Sequence, residues 1–418
     1  MSARSLVGGD RAHDGPSILF LAHRIPFPPD RGDKIRSWNL LRALGRIAPV
    51  HLACFADDAA DAAHLPALRE AMGEALGEAH VEVRRTGRAV AGARALIHGK
   101  PASLTLFDSP ALRRFVDRLL RSGRIGTVFA FSGQMAQFVP QPLGARFVMD
   151  LGDVDSAKFA QYADEGSGPM RWVHRREAGL LFAHEVATAA RADVTTFVSE
   201  AEAALFRQRT GLPNIRALSN GIDLGTFGPA AGFERLDPAA KGKGPVLLFT
   251  GQMDYAPNVD AVRWFAAEVM PLLREARFVV AGRNPAPEVR RLESERVTVT
   301  GAVPDIRSWL EAADIVVAPL RIARGIQNKV LEAMAMAKPV VASPAAFEGI
   351  EAQAGRDLLV ADGAAAMAKA IGALLADREM AGKLGRSARA CVEHSYSWEQ
   401  RLAPLEAMVF TGQARRAA

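Results

Sequence analysis

Cysteine is scarce in this chain of 418 residues: Cys54 lies in an apolar strand-like run, Cys391 stands near the other end, and neither has a His or Cys at metal-ligand spacing. That argues against a disulfide framework or a zinc site, and both cysteines are expected to be buried, reduced thiols. Long apolar runs are missing too. None approaches the ~18 residues needed to cross a bilayer, and the opening MSARSLVGGDRAHDGPS has no apolar stretch of the secretory kind. The expectation is a cytoplasmic protein. There is also no GxGxxG, no phosphate loop ending in Gly-Lys-Ser/Thr and no HExxH, which takes weight from the nucleotide and metal chemistries those patterns serve.

What the chain does have is the mix of a soluble globular protein, 49% hydrophobic and 23% charged, and enough length for two domains. The net charge of +6 is uneven, because residues 84–124 hold ten Lys/Arg against two acids. Inside that stretch Leu112, Phe115, Val116, Leu119 and Leu120 recur at helical spacing, with Arg114, Arg118 and Arg121 on another face. Two readings follow: a core-facing stripe with a solvated Arg face, or a helix resting on anionic lipid at the inner face of a membrane. Nucleic acid is not an expected partner, since aromatic interleaving is sparse and no recognised module is present.

Residues 1–16 read as a loose tail. From Ser17, short β-branched runs (SILFLAH, VHLACF, HVEV, TVFAF, RFVMD, VTTFVS) alternate with helical stretches such as Lys34–Arg46 and Trp172–Arg191. A second series, PVLLFTG, RFVVAG, VTVTG, DIVVAPL, PVVAS and DLLV, follows a Pro/Gly/Lys-rich stretch between Gly211 and Pro245. The pattern predicts an α/β protein of two doubly wound, Rossmann-like domains, 17–212 and 213–395, facing a cleft, with a helix and tail over 396–418 crossing back.

The stretch Arg324-Gly-Ile-Gln-Asn-Lys-Val-Leu-Glu332 carries the most chemistry. It follows an apolar strand, turns at Gly325 and enters a helix expected over Asn328–Ala337. Backbone N–H groups at such a helix start, with Ile326, Gln327 and Asn328, suit a diphosphate. Lys329 adds a positive charge, and Glu332, three residues on, can accept both hydroxyls of a ribose. A bare surface pair of Lys329 and Glu332 is the alternative.

This stretch is similar to the Glu-x7-Glu segment of family 4 retaining glycosyltransferases. It looks closest to bacterial sugar transferases associated with exopolysaccharide and PEP-CTERM/exosortase systems. FLAHRIPFPPDRGDKIRSWNLLRAL, MDLGDVDSAKFAQYA, SNGIDLGTF, FTGQMDYAPNVDAV and VTVTGAVPDIRSWLEAADIVVAPLR support the resemblance over about residues 17–410. It implies a GT-B fold, a nucleotide-diphosphate sugar as donor substrate, no required cofactor or metal, and a glycan or polyprenyl-linked acceptor. Two departures stand out. The first Glu of the pattern is Arg324, and the usual Gly-Arg phosphate clamp is replaced by Gly251-Gln-Met-Asp-Tyr-Ala-Pro-Asn258. Phosphate charge would then fall to Lys329, Arg324, Arg321 and Arg283, with Gly251 and Val303 completing the donor set. In the N-terminal half, Arg31, Gly32, Asp33 and Lys34 resemble the family's glycine loop and are expected at the acceptor. Asp153 or Asp155, after the strand ending at Asp150, is expected to orient or deprotonate the acceptor hydroxyl. The missing first Glu also admits a non-catalytic scaffold; a nucleotide-using epimerase or dehydrogenase is the remoter alternative.

Overall fold

The computed structural model describes residues 15–84, 87–165, 168–237, 242–323 and 326–410. The chain divides into two compact units, one running to Ser219 and resuming at Leu402, the other spanning Asn220–Arg401.

Unit 1 holds β1 (Ser17–Ala22), β2 (Val50–Ala56), β3 (Leu76–Val83), β4 (Ile125–Phe131), β5 (Arg146–Gly152), β6 (Val194–Phe197) and β7 (Ile215–Ala217). They form one sheet in the order β3-β2-β1-β4-β5-β6-β7. Every pairing is parallel, with Ile18 opposite Val50 on one side and Thr127 on the other. Helices cover both faces, which is why β1 and β2 read as mostly apolar runs rather than alternating ones. The Gly32–Ile47 helix buries Trp38, Leu40, Leu41 and Leu44, and carries Asp33 in its first turn and Arg46 in its last, complementing the helix dipole.

Unit 2 repeats the plan with β8 (Val246–Thr250), β9 (Arg277–Ala281), β10 (Val297–Gly301), β11 (Ile315–Ala318), β12 (Val340–Ala342) and β13 (Leu359–Val360), in the order β10-β9-β8-β11-β12-β13. These pairings are also parallel. Phe249, Phe265 and Phe278 are fully buried at its centre. In each unit the strand order reverses once, between β1 and β4 and between β8 and β11. Open parallel sheets hold ligands beyond the carboxyl ends of their strands at such a reversal.

One of two open readings holds, and two expectations are corrected. The apolar stripe of the Pro110–Arg121 helix is core: Leu112, Val116 and Leu119 are fully buried, while Arg118 pairs with Glu78 at 2.6 Å. That stripe is therefore not free to meet lipid. In place of one crossing helix from Trp398, there are two short ones, Trp398–Arg401 in unit 2 and Leu405–Val409 in unit 1. Pro404 between them has no N–H with which to continue the first. Cys54 is buried, but Cys391 is half-exposed, its thiol facing the Glu351 carbonyl at 3.4 Å. Among the described residues no helix is long and apolar enough to cross a membrane.

Candidate functional site

At the reversal point of unit 2, the chain leaves β11 and enters the Asn328–Ala335 helix. Val330, Leu331, Ala333, Met334 and Ala335 anchor that helix in the core, which leaves Lys329 and Glu332 together on its remaining side, both half-buried. The Lys329 ammonium reaches back toward β8. It donates to Asn258 Oδ1 at 2.5 Å and lies 4.3 Å from the centre of the Phe249 ring. Asn258 is buried and also donates to the Gln252 carbonyl at 2.9 Å, so the lysine is held in one place.

Glycines make room for this arrangement. Gly251 has φ 152°, and a Cβ there would sit 2.8 Å from Asn258 Nδ2 and 3.2 Å from Lys329 Nζ. Gly282, at the end of β9 with φ 157°, lies so close to its neighbour that a Cβ would come within 1.6 Å of the Gly251 carbonyl oxygen. Two bare backbones thus abut at the carboxyl ends of adjacent strands.

The electrostatics of the pair are unusual. Burial pushes Lys329 down to about 8, against the pull of Glu332. Burial likewise pushes Glu332 up to about 7, against the pull of Lys329. Among the described residues the Glu332 carboxylate accepts no hydrogen bond, although two oxygens could each take donors. A partly dehydrated carboxylate without donors is costly unless something else supplies them.

Other expected donor residues divide. Arg283 is exposed and donates to Gln252 Oε1 at 3.3 Å, next to this cluster. Arg321 is exposed and paired with Asp260, two residues beyond Asn258 on the Ala256–Trp264 helix. Ile326 packs against the core, Gln327 is half-buried and Asn328 exposed. Val303 lies half-buried in the loop after β10. Arg324 and Gly325 lie outside the described residues.

In unit 1 the expected acceptor residues are largely committed to one another. Asp33 accepts from Arg24 at 2.6 Å, Arg31 at 2.9 Å and His23 at 3.1 Å, and these partners hold its carboxyl well below the usual range despite burial. Lys34 is buried and donates to Asp61 at 2.6 Å, so its charge is spent inside the protein rather than presented to a ligand. Gly32 faces open space: a Cβ there would meet nothing within 4 Å. Of the carboxylates at the end of β5, Asp150 points away from the other two, which share one lysine. Asp150 is buried against Arg36 at 2.9 Å, while Lys158 pairs with Asp153 at 2.6 Å and Asp155 at 3.4 Å.

Two residues escaped the sequence reading. Asn258 sits inside a segment whose lost clamp drew attention, yet only the fold shows it seating Lys329. His23, buried after β1 between Phe107 and Phe131, has an Nδ1 without a partner; nothing in its spacing marked it.

A catalytic or binding role for the reversal-point cluster calls for an independent likeness. Residues 244–377 match the family model for glycosyl transferases group 1. That segment contains β8 through β13 and every member of the Lys329 cluster. The lipopolysaccharide core biosynthesis mannosyltransferase LpcC of Rhizobium leguminosarum bv. viciae is 28% identical over 206 residues, covering 46% of this chain and 58% of that protein. The chain therefore spans little more than half the length of this curated relative. Sucrose-phosphate synthase from Thermosynechococcus elongatus superposes with a TM-score of 0.61 at 18% identity, covering 96% of this chain and 98% of that one. Anabaena HepE in complex with UDP superposes with 0.59 at 15% identity, covering 93% and 98%. At those identities the likeness is one of fold, and the fold is GT-B: two Rossmann-like domains with parallel sheets.

Proposed function

We propose that this chain is a retaining glycosyltransferase that moves a sugar from a nucleotide-diphosphate sugar to a glycan or polyprenyl-linked acceptor, without a metal, in exopolysaccharide-type biosynthesis of the PEP-CTERM/exosortase kind. The observation that carries it is Glu332: a half-buried carboxylate with no described donor, one helical turn from a fixed lysine, at the strand-order reversal of a domain matching the group 1 model. A ribose brings two hydroxyl donors to the carboxylate, and a diphosphate brings negative charge to Lys329. In transfer, Lys329 and the helix start stabilise charge gathering on the departing diphosphate, and Arg283 adds to it from the β9 end. The named relative acts in lipopolysaccharide core synthesis and HepE was solved with UDP, which favours a surface-glycan acceptor and makes UDP the first nucleotide to try. In unit 1, Gly32, with Arg31 beside it, is assigned to the acceptor, and Asp153 and Asp155 to its hydroxyl.

Calorimetric titration with UDP, GDP and ADP tests the donor site. One nucleotide should bind selectively, with Glu332→Ala and Lys329→Ala each weakening it about ten-fold or more. Failure of all three to bind would sink the reading and favour a non-catalytic scaffold.

A further inference from the structure

Among the described residues thirteen large apolar side chains are exposed, and seven of them fall on two segments of unit 1, residues 90–97 and 162–173. Exposed apolar residues scattered singly need no explanation, but a cluster does. Ile97 is 78% exposed, Trp172 61%, Leu96 59% and Met170 55%. The fold brings these segments side by side. Arg176, one turn beyond Trp172, donates to the Ala95 carbonyl at 2.8 Å, and Glu177 accepts from the Ala102 backbone N–H at 2.9 Å. The Tyr162 and His174 rings lie 5.7 Å apart, joining the Asp155–Glu165 helix to the same edge.

Charge identifies the occupant. Residues 87–107 and 162–176 contain six Lys/Arg against two acids, Asp164 and Glu165. Arg94, Lys100, Arg171 and Arg175 are exposed around the apolar side chains. Beside them opens a cavity of about 470 Å³ with Arg94, His98 and Lys100 on its wall and Asp108 as its one acid. Aliphatic side chains and a tryptophan among an excess of cations match the acyl boundary and headgroups of an anionic bilayer.

We propose that this face, formed by the Arg88–His98 helix and the start of the Gly168–Arg191 helix, binds an anionic membrane surface. Leu96, Ile97 and Trp172 enter the acyl boundary, and Arg94, Arg171 and Arg175 meet lipid phosphates. The contact is peripheral and differs from the Pro110–Arg121 helix, whose apolar side is core. It is independent of the donor-site reading, because it is measured without nucleotide.

The test is co-sedimentation of the full chain with vesicles of equal parts phosphatidylglycerol and phosphatidylcholine, against phosphatidylcholine alone. Retention on the anionic vesicles should fall about ten-fold or more with Ile97→Asp or Trp172→Asp, with Arg171→Glu/Arg175→Glu, and at high salt. Arg118→Glu, and Leu272→Asp at an exposed site of unit 2, should leave it unchanged, which separates local contact from misfolding or bulk charge. Equal retention on both vesicle types, indifference to Ile97→Asp, or equal loss with Arg118→Glu would overturn the proposal. So would a wild-type dimer that Ile97→Asp dissociates, which would make the face a contact between copies.

Discussion

Under the proposed function, Glu332 sets binding against stability at a single residue. In the folded chain it keeps its proton up to about pH 7, whereas an ordinary glutamate releases it near 4.5. A group that holds its proton longer when folded contributes fully below the unfolded value, and that contribution is lost as pH rises through the folded one. At pH 8 the ionised carboxylate therefore costs stability, and Glu332→Gln should raise it by about 1–2 kcal/mol after discounting for partial exposure. Chemical denaturation at pH 5 and pH 8 checks this, since the gain should appear chiefly at the higher pH. Under the proposed function the same groups shape binding. If the carboxylate grips a ribose and the ammonium a diphosphate, nucleotide affinity in wild type should peak between about pH 7 and pH 8. Glu332→Gln should flatten the limb below the peak while lowering affinity at it. Comparing the two proteins cancels the nucleotide's own ionisation. A limb that survives the substitution unaltered would assign the titration to another group.

At the scale of elements, the strands were the most legible part of the sequence, because a parallel strand covered on both faces is an apolar run bounded by turn residues. The Asn328–Ala335 helix was legible for a related reason: five apolar residues must face the core, so Lys329 and Glu332 have one side left. Committed charges were not legible. Lys34 and Asp33 looked like ligand groups because their partners, Asp61 on the Ala59–Ala62 helix and Arg24 and His23 just after β1, reach them only through the fold. The Pro110–Arg121 stripe was ambiguous because periodicity says which side of a helix is apolar, not what covers it. Nor does sequence reveal the contact between the ends of β8 and β9, where Gly282 abuts the Gly251 carbonyl. Gly282→Ala must push that backbone aside at a φ that disfavours a side chain. It should cost unit 2 about 3 kcal/mol or more, seen as a lowered unfolding transition with nucleotide binding lost alongside. An unaltered transition would mean that the two strand ends are not in contact.

For the whole molecule, the chain's return to unit 1 at Leu402 means that one unit is completed by residues distant in sequence. Leu405 and Val409 are fully buried there. The Val409 carbonyl accepts from the buried Thr127 hydroxyl at 2.7 Å, and the Met408 carbonyl accepts from Arg146 at 2.6 Å. Removing everything after Arg401 would uncover apolar core and leave the Thr127 hydroxyl without its acceptor. The two side chains alone account for about 3 kcal/mol or more of lost burial, and the orphaned hydroxyl for about 1 kcal/mol or more. Unit 2, by contrast, keeps all of Asn220–Arg401, including every member of the Lys329 cluster. Truncation should therefore lower the unfolding transition of unit 1 while nucleotide affinity, measured well below that transition, stays within about two-fold of the full chain. If affinity instead fell together with stability, the nucleotide would have to draw on unit 1 as well, and the donor site could not be assigned to unit 2 alone.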